Sequence, residues 1–249
     1  AAHMEKEYNL SRDPVYFAMV GFFALLTTGF PLVLGQFRFL PLVQALALAI
    51  FLLVPLRRRD LRGALIVVFL WLALSMITVF ALTWFDATRT ERSFENGFNY
   101  RAAFAEWYYA DNAQSSPLPA SFATQPLASI VEILGIVLGS ILTAGFVGAW
   151  FLMKLANLAA FGAATLGSTL PNPLQVVIAL PLWSIFQIIG AGGLLVLLAE
   201  PLASGRIGAG LREFGRSRRL PLLIFGGMFV LGILLELVLP PFWHFTPIP

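Results

Sequence analysis

Apolar residues run through this chain in long blocks, separated by short polar or basic segments. The first block covers 17–36 and is interrupted near Pro31, Arg38 marks a turn, and the second block covers 40–56. A third runs from 63 to 84, a polar connection occupies 86–129, and 130–200 is then almost wholly apolar. A last block covers 220–242. One bilayer crossing takes about 20 apolar residues, so 130–200 holds three, expected at 130–150, 155–170 and 174–200. The turns between them are expected near Lys154 and at Pro171-Asn172-Pro173. The 155–170 member is short of a full crossing, and a re-entrant hairpin is the alternative there, because protein rather than lipid can surround such backbone. The pattern therefore predicts an all-α, polytopic transmembrane helical bundle of six or seven spans, with a re-entrant or short helix near 155–170.

This reading divides the chain into an N-terminal segment 1–16, in which 1–3 read as a tag remnant before Met4, and a three-span part 17–85. A loop 86–129, a C-terminal membrane bundle 130–243 and a tail 244–249 follow. No cleavable signal peptide is expected, since the first apolar block follows a charged segment and is long enough to span. In the loop, Asp86, Glu91, Glu95, Glu106 and Asp111 stand against Arg89, Arg92 and Arg101, so it is acidic. Phe94, Phe98, Ala102, Ala105 and Tyr109 recur three or four residues apart, which predicts an amphipathic helix on the membrane surface with Trp107, Tyr108 and Tyr109 at headgroup level.

Composition agrees with this picture. Hydrophobic residues make up 59% of the chain and charged ones 12%, with a mean hydropathy of +0.83; a soluble domain carries about 25% charged residues. There is no cysteine, which excludes disulfides, thiolate metal sites and cysteine nucleophiles. The two histidines, His3 and His244, lie near the ends, so a b-type haem, a histidine-held metal and a Ser-His dyad lack their usual groups. HExxH, GxSxG and a paired intramembrane Asp are missing as well. No cofactor, metal or catalytic residue is expected.

Basic residues set orientation rather than a nucleic-acid footprint. Short cytoplasmic loops are enriched in Lys and Arg, so Arg57, Arg58, Arg59 and Arg62, and likewise Arg206, Arg212, Arg216, Arg218 and Arg219, are expected on the cytoplasmic side of a plasma membrane. The N-terminus is then cytoplasmic and the acidic loop outside. Passing from outside at Ser129 to inside at Pro201 takes an odd number of crossings, giving seven in all.

Gly135 and Gly139 form a GxxxG pair, Ser140, Ala144 and Gly148 a second small-residue row, and Ala156, Ala160 and Ala164 a third. Small residues let helices approach closely in lipid, either inside the bundle or at a homo-oligomer interface. Gly190, Gly192 and Gly193, with Pro181 and Trp183, interrupt the sixth block, as in a midplane transporter site or a kinked packed helix. Polar groups at membrane depth are functional candidates: Lys154, which can snorkel from the expected inner turn, Asn157, Gln187 and Glu236. Glu132, early in the fourth block, can reach the outer headgroups. A charge at the centre of a span costs about 2.5–3.5 kcal/mol on insertion scales, so Glu236 is expected to be protonated, paired or hydrated near the outer surface.

From Ser140 to Pro240 the order of features resembles the stage II sporulation protein M family. Leu155-Ala156-Asn157-Leu158 matches its Asn-bearing helix, Gly190-Ala191-Gly192-Gly193 its Ala-Gly-Gly stretch, 216–220 its basic loop, and Glu236 the Glu near the outer end of its last helix. Trp183, Ser184 and Gln187 stand where the family has His, Gly and Glu. The resemblance implies a non-enzymatic multispanning membrane protein that acts as a scaffold or partner of other membrane proteins. The alternative is a permease subunit, ABC-type or secondary, with a polar site near the broken sixth block and a cytoplasmic partner at the basic loops. A continuous polar cavity reaching mid-membrane separates the two, because only the permease needs one.

Overall fold

The computed structural model describes residues 13–35, 40–109, 118–168, 180–205 and 218–243. Helix α1 (Pro14–Leu34) starts at Asp13, whose carboxylate accepts the Val15 N–H at 2.9 Å, and stops at Gly35, φ 63°, where a left-handed residue is needed. Pro31 does not break it. Proline in the last turn removes one hydrogen bond there and leaves the earlier ladder intact. Helix α2 (Leu40–Arg57) turns through Arg59, φ 58°, and Asp60 caps α3 (Leu61–Phe85) by accepting the Gly63 N–H at 2.9 Å. Asp86 caps the short α4 (Ala87–Glu91), and α5 (Gly97–Tyr109) follows. Helix α6 (Pro126–Leu142) meets α7 (Phe146–Gly167) across Thr143, Ala144 (φ 50°) and Gly145 (φ 95°). Helices α8 (Leu182–Ala203) and α9 (Arg219–Val238) complete the bundle, with a 3-10 turn at Pro240–Phe242.

Among the described residues, six of these helices are long and apolar enough to cross a membrane, and α6 is a shorter apolar helix of 17 residues. The chain is an all-α, multispanning integral membrane protein. Helix α8 is the most enclosed, packed by α2, α3, α6, α7 and α9, whereas α9 rests on α8 and shows most of its surface outward. The main core gathers Leu48, Leu52, Trp71, Leu152, Met153 and Leu195.

Several boundaries depart from the expected ones. The turn between the fourth and fifth blocks lies at 143–145, not near Lys154, because Gly145 alone in that stretch supplies a strain-free left-handed residue. Residues 155–167 are thus part of a continuous 22-residue helix, and the short member is α6. At 1.5 Å per residue α6 is about 25 Å long, less than the roughly 30 Å hydrocarbon core. The α6–α7 apex packs against Leu52, Leu195 and Ala199, short of where α2 and α8 end at Arg57 and Ala203. A hairpin that enters and leaves at one end keeps the same parity as two full crossings. Helix α8 is not broken either: Pro181 precedes it, and 190–193 lies inside a continuous helix. The expected turn at Pro171-Asn172-Pro173 lies outside the described residues, as do Arg206, Arg212, Arg216 and His244.

The glycines serve contacts within the chain. A Cβ on Gly135 would strike Phe151, one on Gly139 would lie 2.6 Å from Val147, and one on Gly148 would strike Ser140, so these rows close the α6–α7 hairpin. Between α8 and α9, a Cβ on Gly190 would meet the Phe229 backbone and lie 2.7 Å from the Phe225 carbonyl oxygen. One on Gly232 would lie 2.7 Å from the Gln187 nitrogen. Two backbones touch there, and only the missing side chains allow it. Gly192 faces Phe69 and Leu72 of α3 instead.

Asn157 belongs to a polar knot inside the core. Its Nδ2 donates to Gln44 Oε1 at 2.6 Å, Gln44 Nε2 donates to Thr28 Oγ1 at 2.7 Å, and the Thr28 hydroxyl donates to Ser75 Oγ at 3.1 Å. All four residues are fully buried, one each from α1, α2, α3 and α7. Inter-helix hydrogen bonds in bilayers are worth about 0.6 kcal/mol on average and up to about 1.7, while an orphaned buried amide costs about 1–3 kcal/mol. Gln44→Leu orphans the Asn157 amide and takes one of two partners from Thr28, so it is expected to destabilise by about 2–3 kcal/mol. Gln44→Leu/Asn157→Leu should recover part of that loss. Thermal midpoints in detergent check both; equal midpoints for Gln44→Leu and the unmodified chain would remove the knot from the account.

A candidate ligand cavity

The end of the bundle opposite Arg57 is closed by α5, and not in the expected manner. Phe104, Trp107 and Tyr108 are buried against Ala163, Leu166 and Trp183, while Phe98, Ala102 and Tyr109 of the expected apolar face point outward. Helix α5 therefore caps the bundle instead of floating on headgroups. Aromatic mass decided this: the 100, 104, 107, 108 face carries four large rings, and the opposite face carries two alanines among its five positions. Burial pushes the Tyr100 phenol well above the ordinary tyrosine range, and the Glu236 carboxylate pushes it further. Tyr100 is thus a neutral hydrogen-bonding group beside that acid at any physiological pH.

Under this cap lies a cavity of about 540 Å³, walled by α6, α7, α8 and α9 and roofed by α5 and the segment 118–125. Three of the sequence candidates, Lys154, Gln187 and Glu236, line it, and Asn157 does not. Lys154 sits in the middle third of α7, far from any turn. Its Nζ donates to Glu132 Oε1 at 2.5 Å, so the ammonium is paired rather than snorkelling, and Glu132 points into the bundle rather than to the headgroups. Their side chains are 39% and 29% exposed, which leaves the pair open to the cavity. Opposite charges cancel, and the membrane cost of each is offset by the other.

Glu236 lies under the roof of the cavity. Its two oxygens accept from the Phe122 backbone N–H at 2.9 Å and from Gln187 Nε2 at 2.5 Å. Both donors are neutral, so hydrogen bonds rather than a counter-charge hold this carboxyl group. Gly232, one turn earlier on α9, is what lets Gln187 approach. Ser184 stands one turn before Gln187 on the same wall. At the far end of the bundle Glu200 pairs with Arg218 at 3.3 Å, joining the end of α8 to the start of α9. Gly145 contacts both Leu52 and Ala199, so Arg57 and Arg218 share that end.

The sequence alone did not single out Tyr100, Phe122 or the Glu132–Lys154 pairing. The pairing left a trace: Glu132 and Lys154, Gly135 and Phe151, and Gly139 and Val147 are each equidistant from Thr143. An antiparallel hairpin turning at that residue must bring each pair face to face.

Chemically, the arrangement suits binding. A carboxylate, an ammonium, an amide and a second carboxylate are presented from rigid helices in a space large enough for a small molecule. Among the described residues no group of three metal-ligating side chains forms. No family model matches the chain, and no curated protein or solved structure matches it.

Proposed function

We propose that this protein is a membrane-embedded ligand-binding subunit of a transport system, taking its ligand from the non-cytoplasmic side. The observation that carries this reading is the cavity that reaches the Glu132–Lys154 pair in the middle thirds of α6 and α7. A pure scaffold has no use for an ion pair open to a cavity at that depth, and charged groups inside membranes mark ligand or ion paths. The positive-inside rule places Arg57 and Arg218 in the cytoplasm, hence the N-terminus too, in a plasma membrane. The α5 end of the cavity then faces outward. The arginine end is the natural dock for an energising cytoplasmic partner.

The partner-scaffold reading, suggested by the resemblance to the stage II sporulation protein M family, draws on the α5 cap. Its Phe98 and Tyr109 stand exposed at the same outer end and offer a contact surface. Native mass spectrometry of the purified chain in mild detergent separates the two. The transport reading expects one ligand adduct, lost in Ala159→Trp, which fills the cavity from α7. Co-purification of a stoichiometric extracytoplasmic enzyme without any adduct supports the scaffold and overturns the transport reading.

A further inference from the structure

Two walls of the cavity are not sealed to each other by a shared seam. Helix α6 supplies Glu132, Ile133 and Ile136 to its wall, and α9 supplies Phe229, Ile233 and Glu236. Both helices pack on α8, yet no comparable seam joins them to each other. Their outer faces, with Leu134 and Leu138 on α6 and Leu231 and Leu234 on α9, are exposed apolar surface. In a bilayer, hydrocarbon therefore lies against the outer side of the α6–α9 boundary, and apolar side chains stand on its inner side.

The charge of the wall selects what can enter across that boundary. Among the described lining residues, Glu95, Glu132 and Glu236 are opposed by Lys154 alone, and Lys154 is already held by Glu132. Tyr100 adds an aromatic ring beside which an ammonium group is favourably placed. An anionic headgroup meets net repulsion here, whereas a headgroup ending in an ammonium meets attraction.

We propose that the cavity binds an amine-headed zwitterionic lipid, of the phosphatidylethanolamine type, that enters between α6 and α9. Its headgroup lies among Glu132, Lys154 and Glu236, and its acyl chains remain between the two helices. This rests on the cavity being the ligand site and names the ligand class for it.

The test is a thermal-shift titration of the full chain in neutral detergent. Phosphatidylethanolamine, phosphatidylglycerol with the same acyl chains, and soluble phosphoethanolamine are the three probes. The amine lipid should stabilise at concentrations about tenfold below the anionic one. Glu236→Gln should bring the two within about threefold. Ile133→Trp, or Ile233→Trp from the facing wall should the first fail to fold, should abolish the response to either lipid. Equal response to the two lipids in the unmodified chain overturns the proposal, as does an undiminished preference in Glu236→Gln. Saturation by phosphoethanolamine at the same concentration as the lipid overturns entry from the bilayer while leaving the cavity as a ligand site. An adduct that persists in Ala159→Trp overturns the site itself.

Discussion

Gly190→Leu is expected to abolish the folded, monodisperse protein, with a loss of about 3 kcal/mol or more, the upper range for over-packing. The new side chain would have to occupy the space where the Phe225 carbonyl and the Phe229 backbone of α9 lie, and backbone cannot rotate away as a side chain can. Among the described residues helix α9 has no other extensive seam to hold it, since it packs chiefly on α8. Separating α8 from α9 also pulls Glu236 off Gln187, so the cavity wall goes with the seam. The control lies on α9 itself: a Cβ on Gly227 meets nothing within 4 Å. Gly227→Ala should leave the thermal midpoint unchanged or raise it, because alanine is favoured over glycine in a helix by about 1 kcal/mol. Size-exclusion recovery after heating reads both. Similar midpoints for the two variants would show that the close approach of α8 to α9 is not a feature of the protein.

The second large effect concerns the ion pair. Lys154→Met leaves Glu132 without its counter-charge in the middle of α6, and Glu132→Gln does the converse. Breaking a fully buried pair costs about 3–5 kcal/mol. Both side chains here keep partial access to the cavity, and the expected loss is accordingly about 2 kcal/mol for each single variant. Glu132→Gln/Lys154→Met removes both charges and should return close to the unmodified midpoint. A thermodynamic cycle over these four proteins gives the coupling directly. Ligand response should be lost in all three variants, including the double one, which separates a structural pair from a binding one. If the double variant is as unstable as the worse single, the pair is not what offsets the membrane cost of its members.

Long apolar blocks made the bundle legible, because bilayer thickness acts on composition and needs no knowledge of contacts. Where the turns fall was harder to read. Lys154 reads as a snorkelling residue at an inner turn, because a lone lysine in an apolar run usually reaches for an interface. Its partner is distant in the chain, and only the symmetry of both residues about Thr143 hints at the pairing. Gly190 and Gly193 looked like breaks in α8, yet a helix tolerates glycine when the gain is backbone contact with a neighbour. In α5, spacing alone favoured the face with Phe98, Ala102 and Tyr109, while ring size buried the other. Gln44, Thr28 and Ser75 drew no notice as neutral residues in separate blocks. Their meaning comes from Asn157, which the tertiary fold sets beside them.

The absence of cysteine from the chain makes one experiment decisive for the central claim. Arg57→Cys, Arg219→Cys and Ala159→Cys can each be labelled with a membrane-impermeant maleimide in right-side-out and in inverted vesicles. Arg57→Cys and Arg219→Cys should react only when the cytoplasmic face is exposed, and Ala159→Cys, at mid-helix in the cavity wall, only from the outer face. Reaction of the two arginine positions from opposite faces would contradict the bundle's orientation. An Ala159→Cys that stays unlabelled from outside would contradict the water-accessible cavity on which the functional reading stands.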